Sequence, residues 1–156
     1  MRTLVAVLAV LAALSACRSA PPAPPLPPFK PVVDTRTLMA SLMEKQADIV
    51  WESVADTIVG NEVFEKRPQT DAEWLAVRNA AISVTEAGNL LMIEPRSIDE
   101  GWDQAALGLI AQGERMIAAI DTRDPKAVFD VGSDLYDACV TCHMNYMPAI
   151  KDMYRK

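Results

Sequence analysis

The 156-residue chain is long enough for one domain with short additional segments, and its 51% hydrophobic content is enough to fill a core. Its formal net charge of −6 argues against binding to nucleic acid or direct adhesion to anionic lipid, because both depend on basic patches. An acidic surface instead suits a partner protein with a basic docking face.

Residues 1–16 have the pattern of a signal peptide. Arg2 precedes an apolar run from Leu4 to Leu14, which has the length of a signal-peptide core and is too short to span a bilayer as a helix. The run ends in Leu-Ser-Ala-Cys at residues 14–17, which resembles the bacterial lipobox. In that motif, a signal peptidase cuts just before a cysteine that receives lipid. The pattern predicts a lipoprotein signal peptide and lipidation of Cys17.

An ordinary secretory signal is the alternative interpretation. It needs small residues at positions −1 and −3 of the cleavage site, but cleavage after Ala20 places Arg18 at −3, and cleavage after Ala16 places Leu14 there. Both interpretations predict an exported protein. The lipobox interpretation also predicts attachment to the periplasmic side of the bacterial membrane, because acyl chains give durable membrane affinity.

Residues 17–33 are predicted to tether the lipidated cysteine to the domain. Seven of the eleven prolines lie between Pro21 and Pro31. Proline has a fixed φ and no N–H, so this segment favours polyproline II over helix or sheet. The folded domain is then expected at residues 34–156.

Four segments of this domain have helical periodicity, and strand-like alternation is not apparent. The first is predicted from about Thr35 to Val59, with an apolar face at Met39, Leu42, Met43, Ala47, Val50, Val54 and Ile58. The second begins with a capping-box pattern at residues 70–73 and ends near Glu94-Pro95. Its apolar positions are Trp74, Val77, Ala81, Val84, Gly88 and Leu91.

The third helix is predicted from about Ile98 to Ile120, with apolar positions at Trp102, Ala106, Leu109, Gly113, Met116 and Ile120. The fourth begins at Asp124-Pro125, an N-cap followed by proline, and its apolar positions are Val128, Leu135 and Cys142. Pro148 should kink or end it. Short connections favour antiparallel neighbours, so the expected fold is an all-α, up-down-up-down four-helix bundle.

Near the C-terminus, Cys139 and Cys142 are three residues apart, and His143 follows directly. This C-x-x-C-H spacing is typical of covalent haem attachment: each thiol adds to a haem vinyl group, and the imidazole binds the iron. A redox dithiol would instead follow a strand, whereas residues 125–138 are predicted to be helical. A zinc site would need a fourth ligand, and the chain has no other histidine.

A four-helix bundle with one C-x-x-C-H motif close to its C-terminus resembles the class II c-type cytochromes, that is, cytochrome c prime and its low-spin relatives. The resemblance covers residues 34–156. Haem insertion outside the bacterial cytoplasm agrees with the predicted export. The resemblance also implies that a homodimer can form.

In low-spin members of this family, a methionine of the first helix is the sixth iron ligand. Met39 and Met43 lie one turn apart on the predicted first helix. The resemblance implies Met39 first, because Leu38-Met39 is similar to the pair that carries the ligand in low-spin relatives, with Met43 as the alternative. Both methionines could also be core fillers.

These features predict an electron carrier of the cell envelope with one covalent haem c, acting between redox partner proteins. The alternative is a five-coordinate haem protein that binds nitric oxide or carbon monoxide. The sequence shows no distal acid–base pair for peroxidase-type chemistry, so an enzyme is not expected.

Overall fold

The computed structural model describes residues 29–147. This part is mainly α-helical, as predicted, and has four helices and one hairpin. The elements are α1 (residues 35–51), β1 (Ala55–Val59), β2 (Glu62–Lys66), α2 (Asp71–Leu91), α3 (Glu100–Asp121) and α4 (Pro125–Tyr146). The leader, Cys17, the tether up to residue 28 and Pro148 lie outside the described residues. Residues 29–33, the described end of the tether, belong to no helix or strand.

Helix α1 has three sections: the α-helical turn Thr35–Leu38, the π-helical turn Met39–Met43 and the α-helical segment Glu44–Trp51. Asp34 caps the helix, because its side chain accepts a hydrogen bond from the Thr37 N–H at 2.7 Å. In the π-helical turn, the Glu44 N–H donates to the carbonyl of Met39, five residues earlier. The wider turn was not predicted from the sequence.

Helix α1 ends at Trp51, so its predicted continuation to Val59 is wrong, as is the expected absence of strands. Strands β1 and β2 pair in antiparallel register across the two-residue turn Gly60-Asn61. Gly60 has a φ of 65°, which a type II′ turn requires at its first central position and which glycine adopts without steric cost. The β-branched run at residues 57–59 favours a strand, and the Gly-Asn pair was the overlooked hairpin signal.

The predicted starts of α2 and α4 are confirmed, and α3 begins at Glu100, two residues after the predicted Ile98. Thr70 and Glu73 form the capping box: the Thr70 Oγ1 accepts from the Glu73 N–H at 3.2 Å, and the Glu73 carboxylate accepts from the Thr70 N–H at 2.9 Å. Asp99 caps α3, and Asp124 caps α4 with Pro125 in the first turn. Helix α2 ends slightly earlier than predicted, at Leu91.

Helices α2 and α3 pack closely, and every apolar position predicted for them is buried. A Cβ added at Gly88 would lie 2.6 Å from Cγ1 of Ile110, and one at Gly113 would lie 2.1 Å from Oγ1 of Thr85. The two glycines therefore allow the helices to approach where a larger residue would clash.

Helices α1 and α4 complete the core. Met43, Val50 and Val54 are buried with Val128 and Leu135, as the periodicity predicts. Ile58, predicted for the same face of the first helix, is 71% exposed because it lies in the hairpin.

Arg96 is buried in the connection between α2 and α3, where its guanidinium donates to the carbonyls of Val33 and Leu90, each at 2.9 Å. It thereby ties the segment before α1 to the end of α2.

Candidate functional site

The C-x-x-C-H motif lies on the last turns of α4, which is helical from Pro125 through Tyr146. Cys139, Cys142 and His143 are all partly buried, and both cysteines are free thiols. Because a helix leads into the motif, the arrangement differs from the strand-to-helix setting of a redox dithiol, as expected from the sequence.

Met39 and Met43 are the first and last residues of the π-helical turn of α1. Met43 is 5% exposed, and Met39 is partly buried against the core. Single π-helical turns inside α-helices occur frequently at functional sites. Here both methionines of the turn line the same cavity.

One apolar cavity brings all five of these residues together. Its volume is about 30 Å³. It is lined by Met39 and Met43 of α1, Leu91 of α2, Trp102, Ala105, Ala106 and Leu109 of α3, and Ala138, Cys139, Cys142 and His143 of α4. Residues from four helices thus converge on the motif, and the thioether, thiol and imidazole groups are the ligand-type atoms in an otherwise apolar lining.

Burial favours the uncharged forms of the two thiols and of the imidazole. It raises the pKa of the Cys139 thiol to about 11, with a smaller contribution from the nearby Cys142, and it also raises the pKa of Cys142. Burial lowers the pKa of His143, which favours the neutral imidazole that can bind a metal ion. A nucleophilic or redox cysteine needs a lowered pKa, so the protonated thiols do not suit dithiol exchange.

A hydrogen-bonded contact that sequence reasoning missed supports the end of α4. The Tyr146 hydroxyl donates to Oδ1 of Asp99 at 2.8 Å, and the same oxygen accepts from the Trp102 N–H at 2.7 Å. The ring of Tyr146 packs edge-on against Trp102, with ring centroids 5.1 Å apart. The Trp102 indole N–H in turn donates to the Leu91 carbonyl at 2.9 Å. These contacts hold the last turn of α4 against the start of α3, at a position three residues after His143.

The Tyr146–Asp99 hydrogen bond also shifts the pKa values of both side chains. Asp99 raises the pKa of Tyr146 to about 12, chiefly through this hydrogen bond. The backbone N–H of Trp102, followed by the Tyr146 hydroxyl, lowers the pKa of Asp99. The contact is therefore strongest with a protonated tyrosine and an ionised aspartate, which is the state at neutral pH.

In residues 29–147, no three His, Cys, Asp or Glu side chains are grouped so that they could hold a metal ion. None of the helices described is long and apolar enough to cross a membrane. No family model, curated protein or solved structure matches the chain.

Proposed function

We propose that this chain is a haem c electron-transfer protein of the bacterial cell envelope, related to the low-spin class II cytochromes c. The observation that carries the proposal is the convergence of Cys139, Cys142 and His143 with Met39 and Met43 on one apolar cavity. The two thiols would hold the haem covalently, and His143 would bind the iron on the proximal side. Bound haem would supply one-electron chemistry at this site.

The donor set fits haem c better than the other groups considered. The two thiols could bond to the two vinyl groups of a haem, and the neutral imidazole and either thioether could bind its iron. The cavity of about 30 Å³ is much smaller than the roughly 300–1,000 Å³ of typical ligand pockets. Haem binding would therefore require the helices that line this cavity to separate.

Met39 is the first choice for the distal ligand. Helix α4 ends at Tyr146, three residues after His143, and α1 begins at Thr35, four residues before Met39. The two side chains therefore lie at similar heights if the helices are antiparallel. Contacts support the up-down-up-down bundle: Arg78 of α2 pairs with Asp121 of α3 at 2.7 Å, and Trp51 of α1 packs on Tyr136 of α4.

The ferric absorption spectrum of the purified protein tests the electron-carrier function. Wild-type protein and Met43→Leu should be low-spin, with a sulfur-to-iron charge-transfer band, whereas Met39→Leu should lose the band because leucine cannot bind iron. If Met43→Leu alone loses the band, Met43 is the ligand. A high-spin wild-type spectrum would contradict the electron carrier and favour the five-coordinate, gas-binding alternative.

The envelope location rests on Cys17 and the leader, which lie outside the described residues. We propose that Cys17 is lipidated and holds the domain on the periplasmic side of the membrane. Cys17→Ser should release the protein from isolated membranes, because the acyl chains supply the affinity. Unchanged membrane retention of that variant would argue against lipidation.

A further inference from the structure

The hairpin formed by β1 and β2 exposes large apolar side chains to solvent on both of its faces. Ile58, Val59, Val63 and Phe64 are 54–71% exposed. The sheet has only these two strands, and in residues 29–147 no other segment makes backbone hydrogen bonds to the outer edge of β2. Two-stranded hairpins are marginally stable alone, and an open edge is a template for another strand.

The turn fixes which backbone groups of β2 are free. In a two-residue hairpin turn, the closing pair, here Val59 and Glu62, is hydrogen-bonded. Because hydrogen-bonded and non-hydrogen-bonded pairs alternate, Glu62, Phe64 and Lys66 direct their backbone groups towards β1. Val63 and Glu65 direct theirs towards the open edge, where they can pair with another strand.

The sequence of β2 is complementary to itself in one antiparallel register. If a two-fold axis passes between Phe64 and its counterpart, Glu62 faces the second copy's Lys66, and Lys66 faces the second copy's Glu62. Val63 then forms a hydrogen-bonded pair with the second copy's Glu65, as its free backbone groups require. The Phe64 pair and both charge pairs occupy non-hydrogen-bonded positions, where opposing side chains are closest.

Other two-fold registers of this edge lack that complementarity. An axis at Val63 places Glu62 opposite Phe64, and an axis at Glu65 places two like charges opposite each other, which is unfavourable. Lys66 already has a partner, Glu52, but the pair is 3.5 Å apart and both side chains are mostly exposed. Such a surface pair is weak and can be exchanged.

We propose that β2 is a dimerisation edge that pairs with β2 of a second copy in this register. The two hairpins then form a four-stranded antiparallel sheet, with the two Phe64 rings between two Glu62–Lys66 pairs. The isologous contact closes on itself, as a two-fold interface must. It uses no residue of the cavity between α1 and α4, so it does not depend on the proposed haem.

Cysteine cross-linking of the full chain in the membranes of producing cells tests this dimer. Phe64→Cys should give a disulfide-linked dimer on a non-reducing gel, because the two thiols face each other at a non-hydrogen-bonded position. Ile58→Cys is the matched control: it adds one thiol to the same exposed hairpin, but on β1, and should stay monomeric. Equal cross-linking of both variants, or none of Phe64→Cys, would overturn the proposal.

Charge exchange in the Phe64→Cys background tests the register. Glu62→Lys alone and Lys66→Glu alone should each lose the cross-link, because each places like charges opposite each other twice. Producing the two variants together should restore a dimer of unlike chains, in which both pairs are again Glu–Lys. Failure of the mixture to cross-link would overturn the register. Circular dichroism checks that each variant remains helical.

Discussion

Apolar side chains are enclosed at the start of α1 but exposed to solvent in the hairpin that follows its end. At its start, Met39 and Met43 lie in a lining that includes a histidine and two thiols. Beyond its end, Ile58 of β1 and Phe64 of β2 are exposed to solvent on the hairpin. Enclosed apolar residues with ligand-type atoms among them indicate a small-molecule site, whereas apolar residues along a free edge indicate contact with another protein chain. The first region is suited to a cofactor and the second to a partner.

The strongest test of the cavity end is loss of one attachment point. Cys142→Ala should abolish normal double thioether attachment, because one vinyl group then has no thiol. Thr141→Ala, at an exposed position between the two cysteines, is the control and should keep it. The measurement is haem retained on the chain after denaturation and extraction. Fully retained, spectrally unchanged haem in Cys142→Ala would contradict the assignment.

The second test compares burial in the core and in the hairpin. Leu135 is 1% exposed, so Leu135→Ala should lower the free energy of unfolding by about 2–5 kcal/mol through lost contacts and a cavity. Ile58 is 71% exposed, so Ile58→Ala should change it by at most about 0.5 kcal/mol. Denaturant unfolding of dilute protein measures both. Similar losses would show that the hairpin is packed against the domain.

The third test compares two glycines of α3. Gly113→Ala should lower the free energy of unfolding by about 1–3 kcal/mol, because its Cβ would meet Thr85 at 2.1 Å. Gly108→Ala meets no atom within 4 Å and should raise it by about 0.5–1 kcal/mol, since alanine favours helix. Denaturant unfolding again gives both values. Stabilisation by Gly113→Ala would contradict the close packing of α2 and α3.

The smallest expected effect concerns the Asp99–Tyr146 contact. Since the pKa of Asp99 is lowered from 3.8 on folding, its ionised form adds stability above that value, and this is lost as pH falls through the folded-state pKa. Asp99→Asn should remove part of the acid-dependent loss while keeping a helix cap. Asp137→Asn, at an exposed position of α4, is the control. An unchanged acid profile in Asp99→Asn would contradict the contact.

Much of the helical structure could be predicted, because caps and periodicity are local signals. Thr70, Asp124 and the buried positions of α2 and α3 illustrate this. Helix α1 was extended too far because Val54 and Ile58 continue its spacing, and only the turn at Gly60-Asn61 shows that the chain changes direction. The periodicity of a short apolar segment fits helix and strand almost equally well.

The site was partly predictable for the same reason. Cys139, Cys142 and His143 form a contiguous motif, and the methionines of the first helix followed from a family resemblance. The π-helical turn at Met39–Met43 and the Tyr146–Asp99 hydrogen bond were not predicted. Both depend on how α1 and α4 meet other helices, and such long-range contacts leave no spacing pattern in one sequence.

The central claim is that the cavity between α1 and α4 holds a covalently attached haem. Intact-mass measurement of the full chain, exported from bacteria that attach c-type haem, tests it most directly. The account predicts the mass of the processed polypeptide plus one haem, retained in denaturant, with Cys139 and Cys142 protected from alkylation. A haem-free mass with both thiols open to alkylation would contradict it.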